Sequence, residues 1–193
     1  DYIFYPQAKD MYGWGYSTYV NVEKLTDYLC GASRPGHFKG VATVVAKLFN
    51  IIQPDIAYFG QKDYQQALVI KKMAEDLNMP LKIKIMPIVR ESDGLALSSR
   101  NVYLNAQERS DALVLYRSLQ KAEEMILGGE KNSEKISAEI KKEIIQKKSA
   151  RIDYIAVADI ETFEPLERIK KKALIALAVY FGKTRLIDNI IVG

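Results

Sequence analysis

The sequence predicts an α/β protein in two parts: a partial parallel sheet with helices over residues 1–87, then a small α+β domain over residues 88–193. Between Val41 and Met86, helical patterns alternate with short apolar segments, as in the βαβ units of a parallel sheet. After Pro87, two helical patterns precede three β-type segments, which predicts two helices and a three-stranded antiparallel sheet. The hydrophobic content of 48% is that of a globular chain able to bury a core.

The first part contains helices and strands separated by proline and glycine residues. Apolar residues recur at helical spacing from Val41 to Ile52, nearly all round the helix, so we expect it to be well buried and to end before Pro54. Strict alternation makes Leu81–Met86 a strand. Shorter patterns predict strands at Tyr2–Tyr5, Thr18–Val22 and Ile56–Phe59, a helical turn at Thr26–Cys30, a helix from about Gln65 to Leu77, and a surface loop at Asp10–Tyr16.

The second part begins with two predicted helices. The first runs from about Ala106 to Leu127 and ends at Gly128-Gly129. The second, Asn132–Lys148, places isoleucines on one face and lysines on the opposite face. Three predicted strands follow, at Arg151–Ala158, Ala173–Phe181 and Arg185–Val192.

Composition excludes several classes of protein. Cys30 is the only cysteine, so the chain has no internal disulfide and suits a reducing compartment. No apolar stretch is long enough to span a bilayer. The net charge is only +4 and the lysines of the second part alternate with glutamates, so a nucleic-acid surface is not favoured. One histidine and one cysteine cannot form a zinc cluster, and no P-loop or Gly-x-Gly-x-x-Gly motif occurs.

The turn between Tyr58 and Gln66 is the first candidate site. A predicted strand stops at Gly60, polar residues follow, and a helix begins near Gln65. Ligands of open α/β sheets bind beyond the carboxyl ends of strands, and backbone N–H groups at a helix start attract anions. Lys62 adds a positive charge to such a site. The alternative interpretation is an ordinary strand-to-helix turn with a solvated lysine.

The segment Ser98–Asn101 is the second candidate. It also follows a β-type segment, so Lys62 and Arg100 are expected at one crevice, where they would offset the charge of a polyphosphate. Two serine hydroxyls of the segment would complete the cradle. In the alternative interpretation, the serines cap a turn and Arg100 pairs with Asp93 or Glu91. The residues leave both interpretations open.

Three further features give weaker signals. His37 lies in a Pro-Gly turn and invites a general-base role, although a structural role is favoured. Cys30 is predicted to be a small packed hydrophobe. The aromatic cluster between Tyr12 and Tyr16 is expected to pack or to lie at an interface, rather than to stack on nucleic-acid bases.

Several motifs of this chain resemble the pantothenate synthetase family. They are Arg34-Pro-Gly-His-Phe-Lys-Gly-Val-Ala-Thr-Val-Val45, Phe59-Gly-Gln-Lys-Asp-Tyr-Gln-Gln66 and Arg90-Glu-Ser-Asp-Gly-Leu-Ala-Leu-Ser-Ser-Arg-Asn101, with Met11-Tyr12 near the start and Thr184-Arg-Leu-Ile-Asp-Asn189 near the end. The resemblance covers essentially the whole chain, and the three long motifs are jointly very specific.

The resemblance implies an ATP-dependent ligase that joins pantoate to β-alanine through a pantoyl adenylate, with release of AMP and pyrophosphate. It also implies Mg²⁺, a cytoplasmic homodimer, and a Rossmann-like nucleotide-binding domain followed by a lid domain. By similarity, Lys62 and Arg100 are the catalytic residues and Gln66 holds pantoate. The residues expected at ATP are Gly60, Gln61, Lys62, Asp63, Val89, Leu97, Ser98, Ser99 and Arg100, of which the last four resemble the Lys-Met-Ser-Lys-Ser loop of class I aminoacyl-tRNA synthetases.

One part of the family pattern does not occur in these residues. The family begins with a strand and a His-x-Gly-His motif that binds ATP, together with a glutamine for pantoate, and His37 lies in a different motif. We therefore expect the 193-residue chain to correspond to a family member without its N-terminal part, and to be inactive alone. The alternatives are a nucleotide-binding module without chemistry and another adenylyl- or nucleotidyl-transferring enzyme.

Overall fold

The computed structural model describes residues 1–193 and contains seven α-helices, five strands and two short 3-10 helices. In chain order they are α1 (Ala8–Met11), α2 (Leu29–Ser33), α3 (His37–Ile52), β1 (Ile56–Gly60), a 3-10 helix (Gln61–Asp63), α4 (Tyr64–Asp76), β2 (Lys82–Met86), a second 3-10 helix (Ser99–Tyr103), α5 (Ala106–Ala112), α6 (Val114–Leu127), α7 (Ser133–Ile145), β3 (Ala150–Asp159), β4 (Ala173–Phe181) and β5 (Thr184–Val192). No helix combines the length and the apolar character that crossing a membrane would need.

The first half contains the predicted parallel sheet, here of two strands. β1 and β2 pair in parallel from Ile56 opposite Lys82 to Gly60 opposite Met86, and α4 forms the connection between them. Val69 and Ile70 of α4 are fully buried in a cluster that also contains Phe38 of α3. Gly60 is the last residue of β1, and the lysine-bearing turn follows it at the carboxyl end of the strand.

The second half contains the predicted antiparallel sheet in the order β3-β4-β5. The central strand β4 is buried along nearly its whole length. One face of the sheet packs against α6 and α7, whose inward-facing Leu119, Ile136 and Ile140 are almost inaccessible to solvent. The two sheets together confirm the predicted fold class.

Two predicted strands are wrong. Residues 2–5 form no strand, and Tyr2, Ile3 and Tyr5 lie almost fully exposed, because no neighbouring strand offers backbone partners. Residues 18–22 also form no strand, and the N–H of Val20 instead donates to the hydroxyl of Thr43 on α3 at 2.9 Å. The local pattern of these residues indicated β-type sequence but could not specify a pairing partner.

The helices also depart from prediction in detail. α3 begins at His37 and buries only one face, since Ile51 and Ile52 are about half exposed at 52% each. The helical turn predicted at 26–30 lies at Leu29–Ser33. The single helix predicted from Ala106 to Leu127 is two, because Leu113 ends α5 and begins α6, so the second half has three helices and not two.

The two halves meet along β3 and β5. Tyr154 of β3 packs against the hydrophobic cluster of α3 and α4, and Leu25 packs against the small cluster around Phe163. Both hydrophobic clusters therefore contact the junction, and the residues that follow β1 lie beside β5. The boundary predicted near residue 87 stays a prediction.

We expect the α7 contact with the sheet to dominate the stability of the second half. Ile140→Ala removes a side chain that is 1% exposed, so the free energy of unfolding should fall by roughly 2–5 kcal/mol. Ile145→Ala, on the same helix but 63% exposed, is the matched control and should change it by less than about 0.5 kcal/mol. Urea unfolding followed by circular dichroism measures both, and equal losses in the two variants would contradict the packing described.

Candidate functional site

A cavity of about 420 Å³ lies between the two halves. Four cationic side chains line it: Arg34, Lys62, Arg100 and Arg185. Arg34 precedes α3, Lys62 follows β1, Arg100 lies in the second 3-10 helix and Arg185 in β5. Four separate segments thus direct positive charge to one place, which suits a polyanionic ligand.

The Lys62 turn occupies the carboxyl end of β1, as predicted. Gly60 has an extended backbone with φ −79°, and a Cβ there would meet no atom within 4 Å, so open space lies beside it. The ammonium of Lys62 is 3.6 Å from the Asp63 carboxylate, and the lysine side chain is only 17% exposed. The lysine therefore faces the cavity from a partly desolvated position.

Side-chain amides fix the backbone on both sides of this turn. Asn189 of β5 donates to the carbonyls of Gln61 at 2.9 Å and Lys62 at 3.0 Å. The buried Gln65 accepts from the N–H of Cys30 at 3.0 Å and donates to the carbonyls of Leu25 and Tyr28. Because an unpaired buried amide is costly, these contacts specify one position for the turn.

The Ser98–Arg100 segment reaches the same cavity. Ser98 accepts from the Arg100 N–H at 3.2 Å and caps the second 3-10 helix, while the Arg100 side chain forms no ion pair. Arg109 instead binds Glu91 and Asp93 at 2.7 Å each. The alternative in which Arg100 pairs with those carboxylates is therefore wrong, although its turn-capping serine is present.

A buried ion pair ties the segment before Ser98 to β5. Arg90 donates to both carboxylate oxygens of Asp188, at 2.7 and 2.9 Å, and the Asp188 side chain is 1% exposed. Arg90 also donates to the Gly94 carbonyl at 3.0 Å and stacks on the Tyr116 ring at 4.5 Å. Gly94 has φ +97° and a Cβ there would collide with Tyr116, so this close approach requires glycine.

Cys30 has polar partners in addition to its packing. Its sulfur lies 3.2 Å from the Tyr154 hydroxyl and 3.5 Å from a guanidinium nitrogen of Arg185, which also binds Asp153 at 2.8 Å. The prediction of a small packed hydrophobe thus describes its burial but not its contacts. Burial raises the pKa of Tyr154, so its phenol stays protonated and neutral at the cavity wall.

His37 lies at the N-terminus of α3 and lines the cavity. Its Nε2 accepts from Arg34 at 3.1 Å, which requires the neutral ring. Burial first, and then the charges of Arg34 and Arg185, lower the pKa of His37 below its ordinary value. A neutral imidazole held among arginines is therefore expected at pH 7.

The cavity brings together part of the predicted set. Lys62, Asp63, Gln66, Ser98 and Arg100 line it, and Gly60, Gln61 and Ser99 adjoin these residues in sequence. Val89 and Leu97 lie outside its lining, with exposures of 66% and 57%.

Sequence reasoning assigned no role to several further residues at this place. They are Arg34, Gln65, Arg90, Tyr154, Arg185, Asp188 and Asn189. The polar side chains at 185, 188 and 189 interrupt an otherwise apolar strand pattern, and this was the available signal.

Comparison with known proteins decides the family. The model of the family described as Pantoate-beta-alanine ligase matches residues 1–191. The chain belongs to this family. It is 56% identical to the pantothenate synthetase of Moorella thermoacetica, with 99% of this chain and 68% of the relative covered. The pantothenate synthetase of Acetivibrio thermocellus is 57% identical, with 100% and 68% covered.

Solved structures of the family have the same fold. The pantothenate synthetase of Thermus thermophilus superposes with a TM-score of 0.92 at 45% identity, covering 96% of this chain and 67% of that one. The ligase of Francisella tularensis, in complex with Beta-gamma ATP and β-alanine, gives a TM-score of 0.69 at 33% identity, covering 95% and 61%. The resemblance inferred from the motifs is confirmed, and the chain is that of an enzyme of the pantoate-beta-alanine ligase family.

The Arg90–Asp188 pair should contribute more to stability than the Arg109 pairs. Arg90→Met leaves a buried carboxylate without its partner, so we expect a loss of about 3 kcal/mol in the free energy of unfolding. Arg109→Met, the matched control, removes more exposed ion pairs and should cost clearly less. Urea unfolding at low and high salt measures both variants. A larger loss for Arg109→Met would contradict this ranking.

The titration of His37, the only histidine, reports on the positive charge of the cavity. The pKa of His37 is lowered by burial and by Arg34, so its protonation midpoint should fall below 6.5, and stability associated with the neutral ring is lost as the pH falls below that value. Arg34→Ala should raise the midpoint, because it removes a neighbouring cation. Lys39→Ala, which removes a cation stacked on Tyr19, should leave it unchanged. Proton NMR of the single imidazole follows the titration, and an unmoved midpoint in Arg34→Ala would contradict the contact.

Proposed function

We propose that this chain, when completed by the family's His-x-Gly-His segment (the intact protein below), condenses pantoate with β-alanine at the expense of ATP, through a pantoyl adenylate, with release of AMP and pyrophosphate. The observation that supports this most directly is the cavity between the two halves. It carries four cations for a triphosphate and, in the first turn of α4, the amide of Gln66 for the acid substrate. Family membership supplies the reaction class, and the proposal assigns its steps to residues.

In the first step a carboxylate oxygen of pantoate attacks the α-phosphorus of ATP. The bond to the β-phosphate oxygen breaks, and its electron pair leaves with pyrophosphate. Lys62 and Arg100 offset the charge of the triphosphate, and the hydroxyls of Ser98 and Ser99 donate to its oxygens. Gln66 holds pantoate so that its carboxylate is aligned for attack. These residues act by position and charge and form no covalent bond.

In the second step the amine of β-alanine attacks the acyl carbon of the adenylate. AMP leaves with the electron pair of the acyl–oxygen bond, and the amine loses one proton. The mixed anhydride must be protected from water meanwhile, which a lid formed by the second half would achieve. Val89 and Leu97 are proposed to cover the adenine or ribose, since their apolar side chains are exposed in this structure.

The residues present fit a Mg²⁺ ion that is carried by the nucleotide. No group of three or more His, Cys, Asp or Glu side chains is arranged to hold a metal by itself. Asp63 lines the cavity and is half exposed, whereas Asp188 is engaged by Arg90. Mg²⁺ characteristically keeps phosphate oxygens, water and one or two carboxylates as ligands, so Asp63 is the residue proposed to assist in holding it. The ion would further neutralise the triphosphate.

The setting proposed for the enzyme is that of its family. We propose a cytoplasmic homodimer that acts on small molecules only. We also propose that residues 1–193 alone make no pantothenate, because they contain no His-x-Gly-His motif. Light scattering tests the dimer, and pantothenate formation by the 193-residue chain would contradict the last proposal.

The products distinguish the proposed chemistry from its alternatives. The intact protein with ATP and pantoate should release pyrophosphate, and hydroxylamine added in place of β-alanine should trap pantoyl hydroxamate. Release of ADP and phosphate would instead indicate that the intermediate is an acyl phosphate and not an adenylate. Binding of ATP without pyrophosphate release would indicate a nucleotide-binding module, and turnover with another acid or with a nucleotide acceptor would indicate a different transferring enzyme.

Loss of the Lys62 charge should slow adenylate formation. In the intact protein, Lys62→Ala should raise the barrier by roughly 2–4 kcal/mol, a fall of about 30-fold or more in the single-turnover rate of pyrophosphate release. Lys71→Ala, on α4 and outside the lining of the cavity, is the control and should leave that rate unchanged. A change of less than about threefold in Lys62→Ala would contradict the role of the lysine.

A further inference from the structure

The amide of Asn189 holds the lysine turn from the other half of the molecule. We propose that Asn189 is a positioning residue, which sets the orientation of Lys62 toward the triphosphate without touching any substrate itself. This inference rests on the proposed function of Lys62. It assigns to β5 a part in adenylate formation beyond that of a strand in the sheet.

The geometry of the contact is specific. The Asn189 amide nitrogen donates to the Gln61 carbonyl at 2.9 Å and to the Lys62 carbonyl at 3.0 Å, so both of its protons are used on adjacent peptide groups. Its oxygen lies 3.4 Å from the Gln61 side-chain amide. The 3-10 turn carrying Lys62 cannot rotate about the peptide between Gln61 and Lys62 without breaking these hydrogen bonds.

The donor itself is held rigidly. Asn189 is 4% exposed and pairs with Ala176 on the central strand β4. Its backbone N–H donates to the Asp188 carboxylate at 2.8 Å, and Arg90 holds that carboxylate with two hydrogen bonds. A donor fixed in this way positions an acceptor more exactly than a solvent-exposed side chain would.

The contact also couples Lys62 to the placement of the second half. The first 3-10 helix touches β5 through this amide, and Arg90 links the same strand to the segment leading to Ser98. Lys62 and Arg100 therefore reach the cavity from two segments that are both held in place by contacts with β5. Displacement of β5 from the turn would free Lys62 from its position.

A merely structural role for Asn189 makes a different prediction from a positioning role. A structural role lowers the amount of folded protein, and its effect multiplies with that of any other substitution. A positioning role acts through the lysine side chain, so it disappears once that side chain is gone. A double-mutant cycle between Asn189→Leu and Lys62→Ala separates the two.

The cycle is measured in the intact protein as kcat and KM for pantoate-dependent pyrophosphate release. Asn189→Leu, nearly isosteric but without donors, should lower kcat at least tenfold with the KM for pantoate changed less than threefold. In the Lys62→Ala background the same substitution should cost less than threefold. Multiplication of the two single effects in the double variant overturns the proposal, as does an unchanged kcat in Asn189→Leu.

One control and one replacement variant accompany the cycle. Asn132→Leu makes the same replacement at the cap of α7, outside the cavity, and should leave kcat unchanged once folded protein is equalised by circular dichroism. If Asn189→Leu does not fold, Asn189→Ala removes the same two donors with a smaller side chain and enters the cycle instead.

The affinity for ATP, measured by calorimetry, supplies a second readout for the same four proteins. Absence of pantoate-dependent pyrophosphate release in the unsubstituted protein would contradict the proposed function alone. The affinities would then decide the positioning role. Independent losses from the two substitutions overturn it, and a loss from Asn189→Leu that vanishes in Lys62→Ala supports it.

Discussion

The arrangement of this molecule depends on how β5 is joined to the turn after β1. The side-chain amide of Asn189 on β5 donates hydrogen bonds to two carbonyl groups of that turn. The adjacent residue of the strand, Asp188, forms the buried ion pair with Arg90. Hydrogen bonds that leave no partner unsatisfied are geometrically restrictive in a region of low dielectric. The cavity between the halves has a defined shape because these contacts connect its walls, while hydrophobic packing supplies most of the stability within each half.

Charge is unevenly compensated around that cavity. Arg185 is balanced by Asp153 at 2.8 Å and Lys62 partly by Asp63 at 3.6 Å, whereas Arg100 forms no ion pair. Arg34 contacts a neutral imidazole instead of a carboxylate. Grouping cations in this way costs electrostatic energy in the free protein, and a bound polyanion would offset that cost. The proposed ATP site thus explains a charge distribution that folding alone would not favour.

The sequence pattern predicts those elements that depend on neighbouring residues of the chain and not on a distant partner. The sequence predicts β4 at its observed limits because its apolar run is buried on both faces, and it predicts a turn at Gln61–Asp63 because glycine and polar residues follow a short strand. Residues 2–5 are an apolar run and residues 18–22 alternate, but a strand requires a neighbour that neither pattern can specify. The break at Leu113 has no proline or glycine to signal it. The contact of Asn189 with Lys62 cannot be predicted from local pattern, because the two residues are 127 positions apart in the sequence.

The sheet order has a consequence for how the chain acquires its structure. β3, β4 and β5 are neighbours both in sequence and in the sheet, so their pairing closes only short loops. The parallel pair β1–β2 instead needs the crossover through α4 before it can form, which is the slower kind of contact. We therefore expect the second half to nucleate early and the first half to dock onto a β5 already in place. In that order, the anion-binding crevice is the last feature of the molecule to be assembled.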